Sequence, residues 1–134
     1  MEQVLSFVRS LPHALVLTPS EGGDYPELTW GDAFFYYAPT GEVPQATQPY
    51  GTIITKDYPD DSSSALGHGR WRLNIHVGHG PLSEPRYFAP HPVYGRMGWV
   101  CVVNPTGDAL TASLGLLRTA HDRAAQRAQR RTGQ

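Results

Sequence analysis

Hydrophobic positions change their spacing along the chain, and the changes mark its elements. Val4, Leu5, Val8 and Leu11 recur at helical intervals and Pro12 closes the run, so residues 2–11 read as a short amphipathic helix. Ala14 to Thr18 is apolar and partly β-branched, which fits a strand. Pro, Gly and Asp then supply a turn-rich stretch from Thr18 to Tyr25. Ala33 to Tyr37 is a strand by its aromatic content, and Gly51 to Tyr58, rich in Thr and Ile, is the next. The clearest alternation runs from Arg70 to Val77. Trp71, Leu73, Ile75 and Val77 fall on one side, with Arg70, Arg72, Asn74 and His76 on the other, as the two-residue period of a strand demands. A Pro- and Gly-rich loop follows over 78–95, then a strand from Gly98 to Val103 stopped by Asn104 and Pro105.

Period returns to helical at the end. Thr106 or Asp108 can cap a long helix, in which Leu110, Leu114, Leu117, His121, Ala124 and Ala128 form a stripe spaced four, three, four, three and four. Arg123, Arg127, Arg130 and Arg131 suit the negative pole of its dipole, and its last few residues are expected to fray. The order of helix, about five strands and helix predicts one α+β domain over 1–134: a mostly antiparallel sheet with the N-terminal and C-terminal helices on one face.

Composition narrows this further. With 14 Gly and 12 Pro in 134 residues, periodic segments are interrupted too often for a bundle, coiled coil or repeat array. No apolar run approaches the roughly 20 residues of a membrane span. The first residues carry Glu2 rather than a basic region before an apolar stretch, so a secretory signal is not expected and the cytoplasm is the expected location. Cys101, the one cysteine, stands among valines and reads as a buried, inert thiol. Residues 1–61 hold nine acids and two bases, whereas 62–134 hold three acids and nine bases; the halves are expected to complement each other within one fold. A net charge of -1 and bases gathered on the last helix disfavour nucleic acid as a partner.

Several strings together carry a resemblance. Thr29-Trp30-Gly31-Asp32 before Phe34-Phe35-Tyr36, Thr52 to Pro59, Arg72-Leu73-Asn74-Ile75, His91-Pro92-Val93-Tyr94, Gly98 to Pro105 and Ala120 to Ala124 resemble an actinobacterial family known as domain of unknown function 6194, nearly end to end. The order of elements is more distantly similar to the MmcQ/YjbR-like fold. The chain departs from the family in a shorter loop between Val77 and His91, and in having His76 and His79 there. The resemblance implies little about activity; the wider group implies DNA binding or a place beside antibiotic biosynthesis.

Candidate chemistry follows from residue types. Arg72, Asn74 and His76 stand about 6.5–7 Å apart along one side of a strand and can converge on one polar ligand, or simply form a solvated sheet face. Lys56 is the only lysine beside ten arginines, which suggests a tunable base or point-charge donor, with an edge-strand lysine as the plainer alternative. His91 is a loop histidine suited to acid or base work with Tyr94 to orient it, or else a structural hydrogen-bonding group. His121 lies on the apolar helix stripe, where a satisfied core histidine or a pocket-facing one would fit. His76 and His79 could present two imidazoles to zinc, but no second pair accompanies them, and no metal or cofactor is expected.

The expected function is a small-molecule-binding protein of actinobacterial metabolism, with enzyme activity left open. Its candidate catalytic residues are His91 and Lys56, for a cofactor-independent cyclisation, isomerisation or hydrolysis. Trp30, Asp32, Arg72, Asn74, His76, Tyr94, Trp99 and His121 are the candidate ligand contacts, with Phe35 and Tyr37 as further aromatic lining. The alternative is a non-catalytic regulatory module that binds protein or nucleic acid. Oligomeric state stays open, a homodimer included.

Overall fold

The computed structural model describes residues 1–131. Helix α1 (Glu2–Arg9) leads into β1 (Ala14–Leu17), β2 (Ala33–Tyr37), β3 (Gly51–Ile54), β4 (Arg72–His76), β5 (Ala89–Pro90) and β6 (Trp99–Val103), and α2 (Gly107–Arg131) closes the chain. All strands pair antiparallel in one sheet of order β1-β2-β3-β4-β6-β5. The α+β class and both helices on one face agree with the sequence. The sixth strand, β5, lies in the stretch read as loop, because a two-residue strand has no periodicity to show. The expected fraying of the last few residues lies outside the described residues.

Alternation along the strands separates the two faces of the sheet. Ala33, Phe35, Ile53, Leu73 and Ile75 are buried with Val4, Leu5 and Val8 of α1 and with Leu117 and Ala120 of α2. Each large member of this set, fully buried, contributes about 1.5–3 kcal/mol. Helix α2 lies so close that a Cβ on Gly51 would stand 2.9 Å from the Phe35 ring and 3.1 Å from Leu117. His121 faces this core: its Nδ1 meets the Tyr50 hydroxyl at 2.9 Å and its Nε2 meets the Pro12 carbonyl at 2.7 Å. Since that carbonyl can only accept, Nε2 carries the proton and Tyr50 donates to Nδ1. The satisfied core histidine is therefore what the structure shows at this position.

Strand β3 ends at Ile54, short of the Tyr58 that the sequence suggested. It is also internal, between β2 and β4, so Lys56 is not an edge-strand lysine. The segment beyond it leaves the sheet and folds back, with Tyr58 and Asp61 exchanging backbone hydrogen bonds at 2.9 and 3.1 Å. Asn104, in the left-handed region at φ 43°, ties down the far end of β4 by accepting from the Trp71 amide and donating to the Gly69 carbonyl. These turns place the loops of 58–61 and 91–97 over the face of the sheet that the helices leave bare.

Candidate functional site

Strand residues that alternate with the core residues carry their side chains to this second face. Register sets Phe34, Thr52, Asn74 and Cys101 side by side across four strands, with Ile54 beside Arg72 and His76 beside Trp99. Phe34, Thr52, Ile54, Asn74 and Trp99 line a cleft of about 490 Å³, walled by Tyr58, Asp61, His91 and Tyr94 from the overlying loops. Apolar side chains supply most of the wall and a few polar groups converge on it, the usual make-up of a small-ligand site. Val93, Tyr94 and Met97 of its rim account for three of the seven large hydrophobic residues left exposed among the described residues.

Beneath the cleft lies a buried polar network. Arg72 is fully buried; its Nε donates to Asn74 Oδ1 at 2.8 Å, Nη1 donates to Asp61 Oδ1 at 3.0 Å and to Ser64 Oγ at 2.9 Å, and Nη2 donates to Asp61 Oδ2. Asn74 passes the chain on, donating to Thr52 Oγ1 at 2.9 Å. A guanidinium can be buried only when its donors are met in this way. No buried side-chain nitrogen or oxygen among the described residues lacks a partner. The hydrogen bond and charge of Arg72 hold the Asp61 carboxyl below its usual range.

His91 adjoins the network in an unusual electrostatic setting. Its Nδ1 faces the backbone amides of Val93 and Tyr94 at 3.0 and 3.1 Å, while Nε2 lies 3.1 Å from Arg72 Nη2 and 3.7 Å from Asp61 Oδ2. Two amides aimed at Nδ1 favour the tautomer with the proton on Nε2. Arg72 only donates, so a second ring proton would set more donors against donors. Burial first, then the Arg72 charge, accordingly pushes the imidazole below its ordinary pKa, with the Asp61 charge opposing.

A second cluster adjoins the first. Asp32, almost wholly buried, accepts from the Thr55 amide and hydroxyl at 2.8 Å each and from Lys56 Nζ at 3.2 Å on Oδ1, and from the Tyr58 hydroxyl at 2.5 Å on Oδ2. Lys56 also donates to the Trp30 carbonyl at 2.6 Å. An ammonium, a compact donor with three hydrogens, suits this corner between a carbonyl and a carboxylate better than a flat guanidinium would. Burial and the Asp32 contact raise the Tyr58 phenol above its usual pKa, so it stays a donor.

A smaller, polar cleft of about 270 Å³ opens next door, where Thr47, His76, Arg127 and Arg131 meet. His76 donates from Nε2 to the Met97 carbonyl at 3.1 Å, and its ring lies 5.5 Å from that of Trp99. Among the described residues, no group of three or more His, Cys, Asp or Glu is placed to hold a metal ion.

The structure thus brings Asn74, His91, Tyr94 and Trp99 to the main cleft and puts Arg72 directly beneath it. Trp30, Asp32 and Lys56 form the adjoining cluster, His76 belongs to the smaller cleft, and His121 lies across the sheet. Phe35 and Tyr37 also face the helices, Phe35 in the core and Tyr37 against His121. Sequence reasoning missed Phe34, Thr52, Ile54, Tyr58 and Asp61. Alternation was signal enough for the three strand residues, since each shares a face with Arg72 and Asn74 once the antiparallel pairing is drawn. Asp61 sits in a run of polar loop residues and had no such signal. Cys101, buried on β6 beside β5, has a thiol pKa raised by that burial, as an inert thiol should.

No helix among the described residues is long and apolar enough to cross a membrane. The model of a family of unknown function, DUF6194, matches residues 1–84 and 81–133. No curated protein and no solved structure matches the chain.

Proposed function

The chain belongs to the DUF6194 family, and from its geometry we propose that it binds a small, largely apolar molecule in the 490 Å³ cleft over the outer face of the sheet. One observation carries this reading: an open, apolar-walled cleft has a buried, hydrogen-bonded Asp61–Arg72–Asn74 network built into its floor, with His91 set against it. Burying a guanidinium and a carboxylate is a poor route to stability, since apolar side chains of similar volume do as well. A network of this kind is better explained as a rigid floor that fixes the position of groups facing a ligand.

Each residue then has a separate role. Phe34, Ile54, Tyr94 and Trp99 supply apolar contact, and Tyr58 and Asn74 offer polar groups whose direction is fixed by Asp32 and Arg72. His91, with Nδ1 held by two amides and Nε2 set against Arg72 and Asp61, is a positioning residue of the wall rather than a base. A place in actinobacterial metabolism and a kinship with the MmcQ/YjbR-like fold belong to this proposal on the strength of the sequence strings and element order alone.

The test is a fluorescence titration with phenylnaphthylamine, a neutral aromatic probe. Saturable binding that weakens at least fivefold in both Tyr94→Ala and Trp99→Ala is expected. No saturable binding, or binding indifferent to both substitutions, would overturn the reading.

A further inference from the structure

Of the nine bases in the second half of the chain, those on the last turns of α2 do not pair with the acidic first half. Among the described residues, Arg72 is the one of those nine bases that makes an ion pair across the two halves, with Asp61. Among the described residues, Arg127 and Arg131 have no ion pair and no hydrogen bond, and Arg123 spends its Nη1 on the Val77 carbonyl at 2.6 Å. The complementarity suggested by the charge distribution therefore covers one residue at the site and leaves a cationic patch behind.

This patch has a shape. Arg127 and Arg131 are four residues apart, so they project from the same side of α2, and both line the 270 Å³ cleft with Thr47 and His76. Gln48, Pro49 and Trp99 line this cleft and the larger one alike, so the two adjoin at those side chains. Their chemistry differs: one is apolar over a neutral-to-acidic wall of Asp60 and Asp61, and the other is cationic. Partial burial, then crowding by Arg131, Arg123 and Arg130, pushes the Arg127 guanidinium below its ordinary pKa.

We propose that the smaller cleft binds the oxyanion, a phosphate or carboxylate, of the same molecule whose apolar body lies in the larger cleft, making the ligand an amphipathic anion. This rests on the reading of the larger cleft given above. Two guanidiniums on adjacent turns present forked donors matched to a planar or tetrahedral oxyanion. Trp99, shared by both clefts, marks where the apolar body gives way to the charged end.

Two probes separate the proposals. Anilinonaphthalene sulfonate carries an anionic group on an aromatic body like that of neutral phenylnaphthylamine. At low salt the anionic probe should bind roughly three- to tenfold more tightly than the neutral one, as expected for two partly solvated charge contacts. The double variant Arg127→Gln/Arg131→Gln should erase that difference and leave the neutral probe unaffected. Both side chains are exposed, so the fold is not at stake. Millimolar inorganic phosphate or acetate should displace only the anionic probe, and the more effective of the two identifies the oxyanion.

Equal affinity for the two probes, or a difference that survives the double substitution, would overturn the anion site while leaving the apolar cleft standing. Binding of the anionic probe alone, lost in the double variant, would support the anion site and overturn the apolar one. A DNA duplex that binds through the same arginines and displaces the anionic probe would assign the patch to a nucleic-acid backbone and overturn the proposal.

Discussion

Arg72 holds Asp61 with two nitrogens on two oxygens, Nη1 on Oδ1 at 3.0 Å and Nη2 on Oδ2, beneath the floor of the larger cleft. One comes from the middle of the sheet and the other from a loop, so this pair fastens the loop over the cleft. Removing one partner leaves the other charge buried. Asp61→Asn should therefore cost about 3–5 kcal/mol in denaturant unfolding. Asp61→Leu combined with Arg72→Met should recover most of that stability while losing ligand binding, because the floor is then apolar. A cost below about 1 kcal/mol for Asp61→Asn would show that the pair does not fasten the loop.

The cluster at Asp32 divides its contributions unevenly. Tyr58→Phe removes a hydroxyl that donates to a buried carboxylate at 2.5 Å and should cost about 1.5–3 kcal/mol. Lys56, a third exposed, makes a more hydrated contact, so Lys56→Met should cost less than about 1 kcal/mol. Thermal unfolding of both variants checks the order, and a larger loss at Lys56 than at Tyr58 would reverse it.

Acid should weaken the fold in a defined window. Burial and nearby charge hold His91 and His76 below their ordinary 6.5 in the folded chain. Between the folded values and 6.5 the unfolded chain binds more protons, so stability rises with pH there. It is fully present above 6.5, falls as pH drops through the folded values, and falls again below 3.8 as Asp61 is protonated. Urea midpoints should be flat from about pH 8 to 7 and decline below about 6.5, with a smaller decline in His91→Asn. A midpoint that rises on acidification would contradict this, as would a His91 imidazole titrating above 6.5 by NMR.

Gly98 sets the angle at which Trp99 enters the cleft. Its φ is +86°, and a Cβ there would stand 2.8 Å from the Gly78 Cα and carbonyl oxygen. Backbone cannot swing aside as a side chain can. Gly98→Ala should cost more than the roughly 1 kcal/mol of a positive-φ alanine alone and lower affinity for the neutral probe. Unfolding and probe titration on one sample check both, and an alanine variant as stable as the parent would contradict the crowding.

What the sequence disclosed depended on the range of the interaction. Alternation at Arg72–Asn74–His76 gave a strand and its two faces, because side-chain direction in a strand is a local property. The same pattern separated Phe34 from Phe35, yet Phe35 was grouped with Trp99 as aromatic lining, although the two lie on opposite faces. Lys56 was singled out by rarity, but its partner Asp32 lies 24 residues away and is reached only because β2 and β3 pair. Asp61 was silent for a similar reason. Its meaning comes from a loop folding back onto β4, and loop closure leaves no periodic trace.

Mapping amide chemical shifts during a phenylnaphthylamine titration decides whether the outer face of the sheet is a small-molecule site. Saturable changes should concentrate at Thr52, Tyr58, Asn74, Tyr94 and Trp99, with Leu117 and His121 across the sheet unmoved. Changes centred on the helices, or none at saturating probe, would contradict it.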